Sequence, residues 1–297
     1  MIVERAASAP GLFRDKAMRL FVLRGMLSPI VSTRWARFIR RYHRAFNAAP
    51  PPARVLGKPV RSYVHARLGP SARLAVLRAH YRLLRDLFSP DCVRRLCAGE
   101  PMQIVELEAR KGARYQLLVV ASVRVSMQRE GELALYLIKR GVATPLSRLS
   151  LALGQVAGRP AVMIGGLQGP GGGHKRDVIE ATRELHGLRP KDATLLAARA
   201  FANALGMGSV HAIANRHHVL NRLADGAKHA DYDSYWLERG AAAGGPLGFV
   251  FAPLETALPA GNYRGAAKAA IVAGVERFVH EQKRHVRAAA ADVAAAV

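Results

Sequence analysis

Between Met102 and Gly169 the sequence changes its rhythm, and this change limits the fold more than any other feature. "MQIVELEA", "YQLLVVASVRV" and "ELALYLIKR" each read as strands rich in Val, Leu and Ile. "VATPLSRLSLALG" reads less clearly as a fourth strand, and "RPAVMIGGLQG", entered through Arg159 and Pro160, as a fifth. The early connections are short, which suits antiparallel neighbours; a parallel crossover needs a dozen residues or more. Two helical segments follow, about 175–187 and 191–205, and then a short strand, "SVHAIAN", at 209–215. Strands, then helices, then a strand predict an α+β fold: a mixed, largely antiparallel sheet with flanking helices, not a doubly wound one.

The N-terminal side reads as helical. In "STRWARFIRRYHRAFN", residues 32–47, Trp35, Phe38, Ile39, Tyr42 and Phe46 share one stripe. Arg34, Arg37, Arg40, Arg41 and Arg44 take the opposite side. Such a helix either packs its stripe into a core or lies on an anionic bilayer, and core packing is the commoner use. "FRDKAMRLFVLRGMLSP" repeats the theme with Phe13, Leu20, Phe21 and Leu27, and "AAPPPARVLGKPV", residues 48–60, reads as a proline-rich linker. "SARLAVLRAHYRLLRDLF" spaces Leu74, Leu77, Tyr81, Leu84 and Phe88 for a second buried face. The expected organisation is a basic helical arm with its linker over 1–60 and an α+β domain over 61–244. A divergent segment over 245–297 ends in a fraying alanine-rich helix.

Charge points to the partner. The 45 basic and 21 acidic side chains leave a net +24, and residues 1–100 alone carry 20 basic against 5 acidic. That bias predicts a polyanion: an anionic membrane surface first, nucleic acid second, because no helix-turn-helix, RNA-recognition or zinc-finger pattern is present. No apolar run approaches the ~20 residues that span a bilayer. The expected location is the cytoplasm, with peripheral attachment to the inner membrane. Cys92 and Cys97 are expected to be packing residues.

"LQGPGGGHKRD", residues 167–177, raises the question of a phosphate loop. It is not a Walker A loop, since His174 separates Gly173 from Lys175 and no Ser or Thr follows. Gln168, Gly171 and Gly173 do match Gln-x-x-Gly-x-Gly, which resembles the pyrophosphate loop of acetyl-CoA-dependent acyltransferases.

A broader resemblance covers residues 75–240. "RAHYRLL", "REGELALYL", "IGGLQGP", "ATRELHGLRPK", "AIANRHHV" and "DYDSYW" run in the order found in the bacterial VirK/YbjX family, whose domain has no assigned function. The resemblance implies a link to envelope integrity, virulence and antimicrobial-peptide resistance, and no established reaction. If the family shares the acyl-CoA N-acyltransferase (GNAT) architecture, "HGLRPKD" is the better anion site. There Gly187 ends one helix, Pro190 opens the next, and Arg189 and Lys191 add charge.

The candidate donor-binding residues are therefore His186, Gly187, Arg189, Lys191, Gln168, Asn215 and Arg216, for acyl-CoA or another phosphate-bearing donor. Glu130 and Glu132 flank Gly131 at a strand mouth, where a carboxylate can take a proton from an attacking amine or hydroxyl; a turn of solvated acids is the commoner use of such a pair. Asp231 and Asp233 are further candidates for that role, or caps for the helix that follows. A metal site from His211, His217 and His218 lacks a completing carboxylate in sequence. The reading is a GNAT-like acyl or aminoacyl transferase acting on an envelope-related substrate. The alternative is a non-enzymatic protein that binds anionic lipid or nucleic acid.

Overall fold

Eight strands share one sheet in the order β1-β2-β3-β4-β5-β6-β8-β7. They are β1 (Met102–Glu108), β2 (Arg114–Ala121), β3 (Leu133–Lys139), β4 (Ser147–Val156), β5 (Arg159–Gln168), β6 (Ser209–Ile213), β7 (Ala242–Gly244) and β8 (Gly248–Phe251). The computed structural model describes residues 28–220, 231–254 and 262–295. Strands β1 to β5 are antiparallel in chain order. β5 and β6 run parallel, from Ala161 opposite Ser209 to Ile164 opposite Ala212, and β8 returns antiparallel to β6. The α+β architecture with a mixed, largely antiparallel sheet is therefore present.

Central strands lose the alternation of a half-exposed sheet because both faces are covered. Leu149, Leu151, Ala152 and Leu153 of β4 are all buried, as are Val162 and Ile164 of β5. The long helices packed on the sheet are α3 (Pro70–Leu87), α6 (Pro190–Leu205) and α8 (Tyr263–Ala295). Helix α3 packs on β4, α6 on β3 and β4, and α8 on β1 and α6. Shorter elements are α1 (Pro29–Ala45), α2 (Ala53–Leu56), α4 (Pro90–Ala98), α5 (Lys175–Glu184) and α7 (Tyr232–Leu237).

The aromatic stripe of α1 belongs to the core. Trp35 and Ile39 are fully buried, the Tyr42 ring lies 4.9 Å from that of Tyr81 in α3, and Phe38 and Phe46 are half-buried. Arg34, Arg37, Arg40, Arg41 and Arg44 all remain exposed. The stretch up to Leu27, including Phe13, Leu20 and Phe21, lies outside the described residues. Three expectations need correction. Residues 48–60 are not a free linker: Pro51, Val55, Lys58, Pro59 and Val60 are buried, and Trp35 Nε1 donates to the Val55 carbonyl at 2.9 Å. Residues 122–125 form a 3₁₀ turn instead of prolonging β2, because Ser122 turns inward to donate its hydroxyl to the Gly131 carbonyl at 2.6 Å.

The third correction concerns the C-terminal segment, which is built into the sheet. The β7–β8 hairpin straddles residues 244 and 245, and α8 buries Ile271, Val275 and Val279. Gly274 lets α8 lie on β1, since a Cβ there would stand 2.6 Å from Val105. Cys92 is buried and Cys97 half-buried, and burial pushes both thiols up to about 12. Among the described residues no helix is long and apolar enough to cross a membrane.

Candidate functional site

Glu130 and Glu132 are 1% and 4% exposed, so the turn of solvated acids is excluded. The chain from Ser122 to Glu132 folds back on itself: the Glu130 amide donates to Met127 at 2.9 Å and the Ser122 amide to Glu132 at 2.8 Å. A buried carboxylate is costly without partners, and each glutamate has its own set.

Glu130 meets Gln168, whose Nε2 lies 3.0 Å from both carboxylate oxygens, and His218, whose Nε2 lies 3.0 Å from Oε1. The Leu220 amide donates to His218 Nδ1 at 3.4 Å, which leaves Nε2 as the nitrogen that faces Glu130. Tyr232 stacks edge-on to His218, and its hydroxyl accepts from the Leu167 amide at 3.2 Å. Burial and the Glu130 charge hold that hydroxyl above its usual range. Two glycines of β5 make the room. A Cβ on Gly165 would stand 1.9 Å from the Glu130 carbonyl oxygen, and one on Gly166 would stand 2.6 Å from its carboxyl carbon.

Glu132 faces a different set. Lys58 Nζ lies 2.5 Å away and the Tyr81 hydroxyl donates at 2.8 Å, while Lys58 sits 5.7 Å over the Tyr63 ring. Beside them His80 Nδ1 accepts from the Leu153 amide at 3.0 Å. Burial lowers the His80 pKa to about 4, so the ring is neutral. A cavity of about 40 Å³ adjoins this set. The buried Lys58–Glu132 pair ties the 58–60 turn to the sheet, which is a structural use of charge.

Asp231 and Asp233 hold backbone. Asp231 caps α7 through the Ser234 amide at 3.2 Å and also takes Asn215 Nδ2 at 2.9 Å. Asp233 accepts from the Asn215 amide at 2.8 Å. Asp231 thus takes the capping role, both aspartates clamp the 215–217 turn, and Asn215 is the clamp's other half. Arg216 is exposed and donates to its neighbour His217 at 3.1 Å. The His217 ring stacks 4.4 Å from His65, whose pKa burial, then His217, lowers to about 4. His211 bonds Ser209 at 2.9 Å, and among the described residues no three His, Cys, Asp or Glu side chains converge as a metal site.

The 186–192 loop forms as expected. His186 (φ 56) and Gly187 (φ 85) close α5 in left-handed conformations, and Pro190 opens α6. His186 stacks on Tyr263 at 4.8 Å and accepts from Arg110 at 3.0 Å. Gly187 and Arg189 line a surface cavity of about 540 Å³. Lys191 lines a neighbouring one of about 600 Å³ with Gly169 and Tyr235, and burial lowers its pKa. Asn215 and Arg216 line neither. The triple glycine 171–173 is exposed, and a Cβ there would meet nothing within 4 Å, so it cradles no neighbouring group. Gln168 and Gly169 connect the two regions: Gln168 holds Glu130, and Gly169 walls the Lys191 cavity.

The sequence reading omitted Lys58, Tyr63 and His80, whose roles depend on contacts across the fold. It also passed over Gly165 and Gly166, although two glycines inside an apolar strand signal a close approach.

A mixed sheet with one parallel pair among its described strands, closed around two buried carboxylates, defines an α+β domain in which "REGEL", "IGGLQG", "AIANRHH" and "DYDSYW" meet around Glu130. The chain belongs to the family described as "Protein of unknown function (DUF535)", which it matches over residues 12–258. It is similar to the "Uncharacterized protein YbjX" of Escherichia coli (strain K12), with 28% identity over 239 residues, covering 78% of this chain and 72% of that protein. No solved structure matches it.

Proposed function

We propose that the protein is a group transferase of GNAT-like architecture that moves an acyl or aminoacyl group from a phosphate-bearing donor to an envelope-related acceptor. The observation that carries this reading is the junction of β5 and β6. Their pairing ends at Ile164 and Ala212, while β5 continues to Gln168 beside the buried Glu130. Parallel strands that part in this way free backbone amides for a donor carbonyl, and the turn that follows leads into a helix pair. In acyltransferases of that class the donor arm lies in such a gap. The mixed sheet and this junction support the analogy.

The chemistry would run as follows. The acceptor nitrogen or oxygen attacks the donor's thioester carbonyl, forming the new C–N or C–O bond. Its proton passes to the Glu130 carboxylate, which His218 and Gln168 hold in place. The C–S bond breaks and the departing sulfur takes the proton back. Of Gln168, His218 and Tyr232, Gln168 is the partly exposed one, so an acceptor approaches from its side.

The exposed arginine face of α1 supports work at an anionic membrane surface, because no acidic residue occurs between Asp15 and Asp86. A second reading has its own support. Tyr232 occupies the Leu167 amide and Glu130 is closed off, which suits a protein that binds anionic lipid without turnover. Glu130→Gln separates the two. The transferase reading expects CoA and palmitoyl-CoA to raise Tm equally in parent and variant, with thioester loss abolished in the variant. Equal thioester loss in both, or none in the parent with any acceptor extract, defeats it. Flotation on phosphatidylglycerol vesicles, lost in an Arg37→Glu, Arg41→Glu, Arg44→Glu variant, tests the membrane half.

A further inference from the structure

The two cavities beside the 186–192 loop differ in chemistry but share Arg189 and Arg239 as walls. One lobe, about 540 Å³, is basic: Arg189, Arg199, Arg239, Arg264 and Lys268 face two acids, Asp192 and Glu238. Both acids are already spent on Arg239, and Asp192 also takes the Tyr235 hydroxyl at 2.8 Å. Among the described residues no acid pairs with Arg189, Arg199, Arg264 or Lys268. Like charges gathered in one concave surface repel, and an anion there removes the repulsion. Guanidinium forks suit phosphate oxygens in particular.

The other lobe, about 600 Å³, is walled by Leu146, Pro170, Val178 and Ile179. Ile179 is 42% exposed, so it offers apolar surface to a ligand in this lobe. The lobe offers little neutral hydrogen bonding. Thr182 spends its hydroxyl on the Val178 carbonyl at 2.7 Å, and Tyr235 spends its own on Asp192. Neither hydroxyl has a proton left to donate to a nucleobase acceptor, whereas a hydrocarbon chain needs none.

We infer that the joined groove binds a phosphate-headed amphiphile, with the phosphate in the basic lobe, Arg189 and Arg239 at the neck, and the hydrocarbon chain against Ile179 and Val178. This inference names the donor-side ligand of the transferase reading and rests on it for biological meaning, but its readout is binding alone. The same chemistry has two sources, a membrane lysophospholipid and a soluble acyl-CoA.

Isothermal titration of the full chain, below each probe's micelle concentration, tests the inference with four probes: lysophosphatidic acid, palmitoyl-CoA, palmitate and inorganic phosphate. Either phosphate-headed amphiphile should bind at least tenfold tighter than palmitate and than phosphate; which of the two binds tighter identifies the source. Arg189→Ala with Arg264→Ala and Lys268→Ala should weaken the amphiphile at least tenfold. Ile179→Asp, on an exposed position that tolerates the change, should weaken it similarly and leave phosphate binding unaltered. Palmitate binding as tightly as the amphiphiles overturns the inference, as does unchanged affinity in folded groove variants. Glu130→Gln should bind like the parent. Lost thioester turnover in that variant, alongside normal amphiphile binding by the groove variants, would sink the groove and leave the transferase reading standing.

Discussion

Glu130 is buried by two residues that have no side chain. Gly165 passes so close to its backbone that Gly165→Ala places a methyl 1.9 Å from a carbonyl oxygen, with β5 fastened to β4 and β6 as far as Ile164. The variant should lose about 3 kcal/mol or more, the upper end of overpacking penalties. Gly171→Ala, in open space, should change stability by less than about 1 kcal/mol. Urea denaturation of both distinguishes a packed strand glycine from a loop glycine; equal losses would contradict the packing described. His80 makes the second residue-scale case. Its folded pKa of about 4 lies below the ordinary 6.5, so the unfolded chain binds the proton first as pH falls. The stability that depends on neutral His80 is whole above pH 6.5 and is lost as pH drops toward 4, by about 3 kcal/mol. Unfolding free energies at pH 7.0, 5.5 and 4.5 should fall more steeply for the parent than for His80→Gln, and parallel profiles would refute the assignment. Neither environment was legible in the sequence. "REGEL" does not show that its glutamates face Lys58 on one side and His218 on the other, because those partners lie 74 and 88 residues away.

At the scale of elements, patterns with a short period were readable and long-range pairings were not. The stripe in α1 identified its buried face, and the run of branched residues identified β1, β2, β3 and β5, because each pattern reports on neighbours one or two turns away. What the pattern left open was whether the stripe met protein or lipid, and Tyr81 of α3 decided it. The 48–60 stretch misled for the same reason. Proline content signals a bend, but not whether Lys58 beyond it finds a buried carboxylate. Where β5 and β6 part, α7 sends the Tyr232 hydroxyl to the Leu167 amide. Tyr232→Phe leaves that amide without its partner and should cost about 1–3 kcal/mol. If a donor carbonyl uses the freed amide, the same variant should bind palmitoyl-CoA more tightly than the parent. Denaturation and titration of one protein sample read both effects, and weaker binding would place the donor elsewhere.

For the whole molecule, the alanine-rich C-terminal segment is the sharpest departure from what the sequence suggests. Small side chains and few charges read as a fraying end, yet small residues also let a helix approach closely. Gly274 brings α8 onto Val105 of β1, while Ile271, Val275 and Phe278 fill the space between β1 and α6. Ser89 and Gln282, 193 residues apart, bond at 2.6 Å, so the start of α4 is fastened to α8 as well. One core thus runs from Trp35 to Val279, and the unit that folds is larger than the 61–244 stretch. Ending the chain at residue 261 should therefore unfold the whole sheet and not yield a stable smaller domain. Ile271, Val272, Val275, Phe278 and Val279 leave the interior, each worth about 1.5–3 kcal/mol, against a total stability of about 5–15 kcal/mol for a folded domain. Near-ultraviolet circular dichroism and amide exchange of the truncated chain would show the outcome: loss of aromatic signal and of protection in β1 through β4 is expected. Native protection in β4 with exchange confined to β1 would mean that α8 is an appendage, and that the sheet holds its core without it.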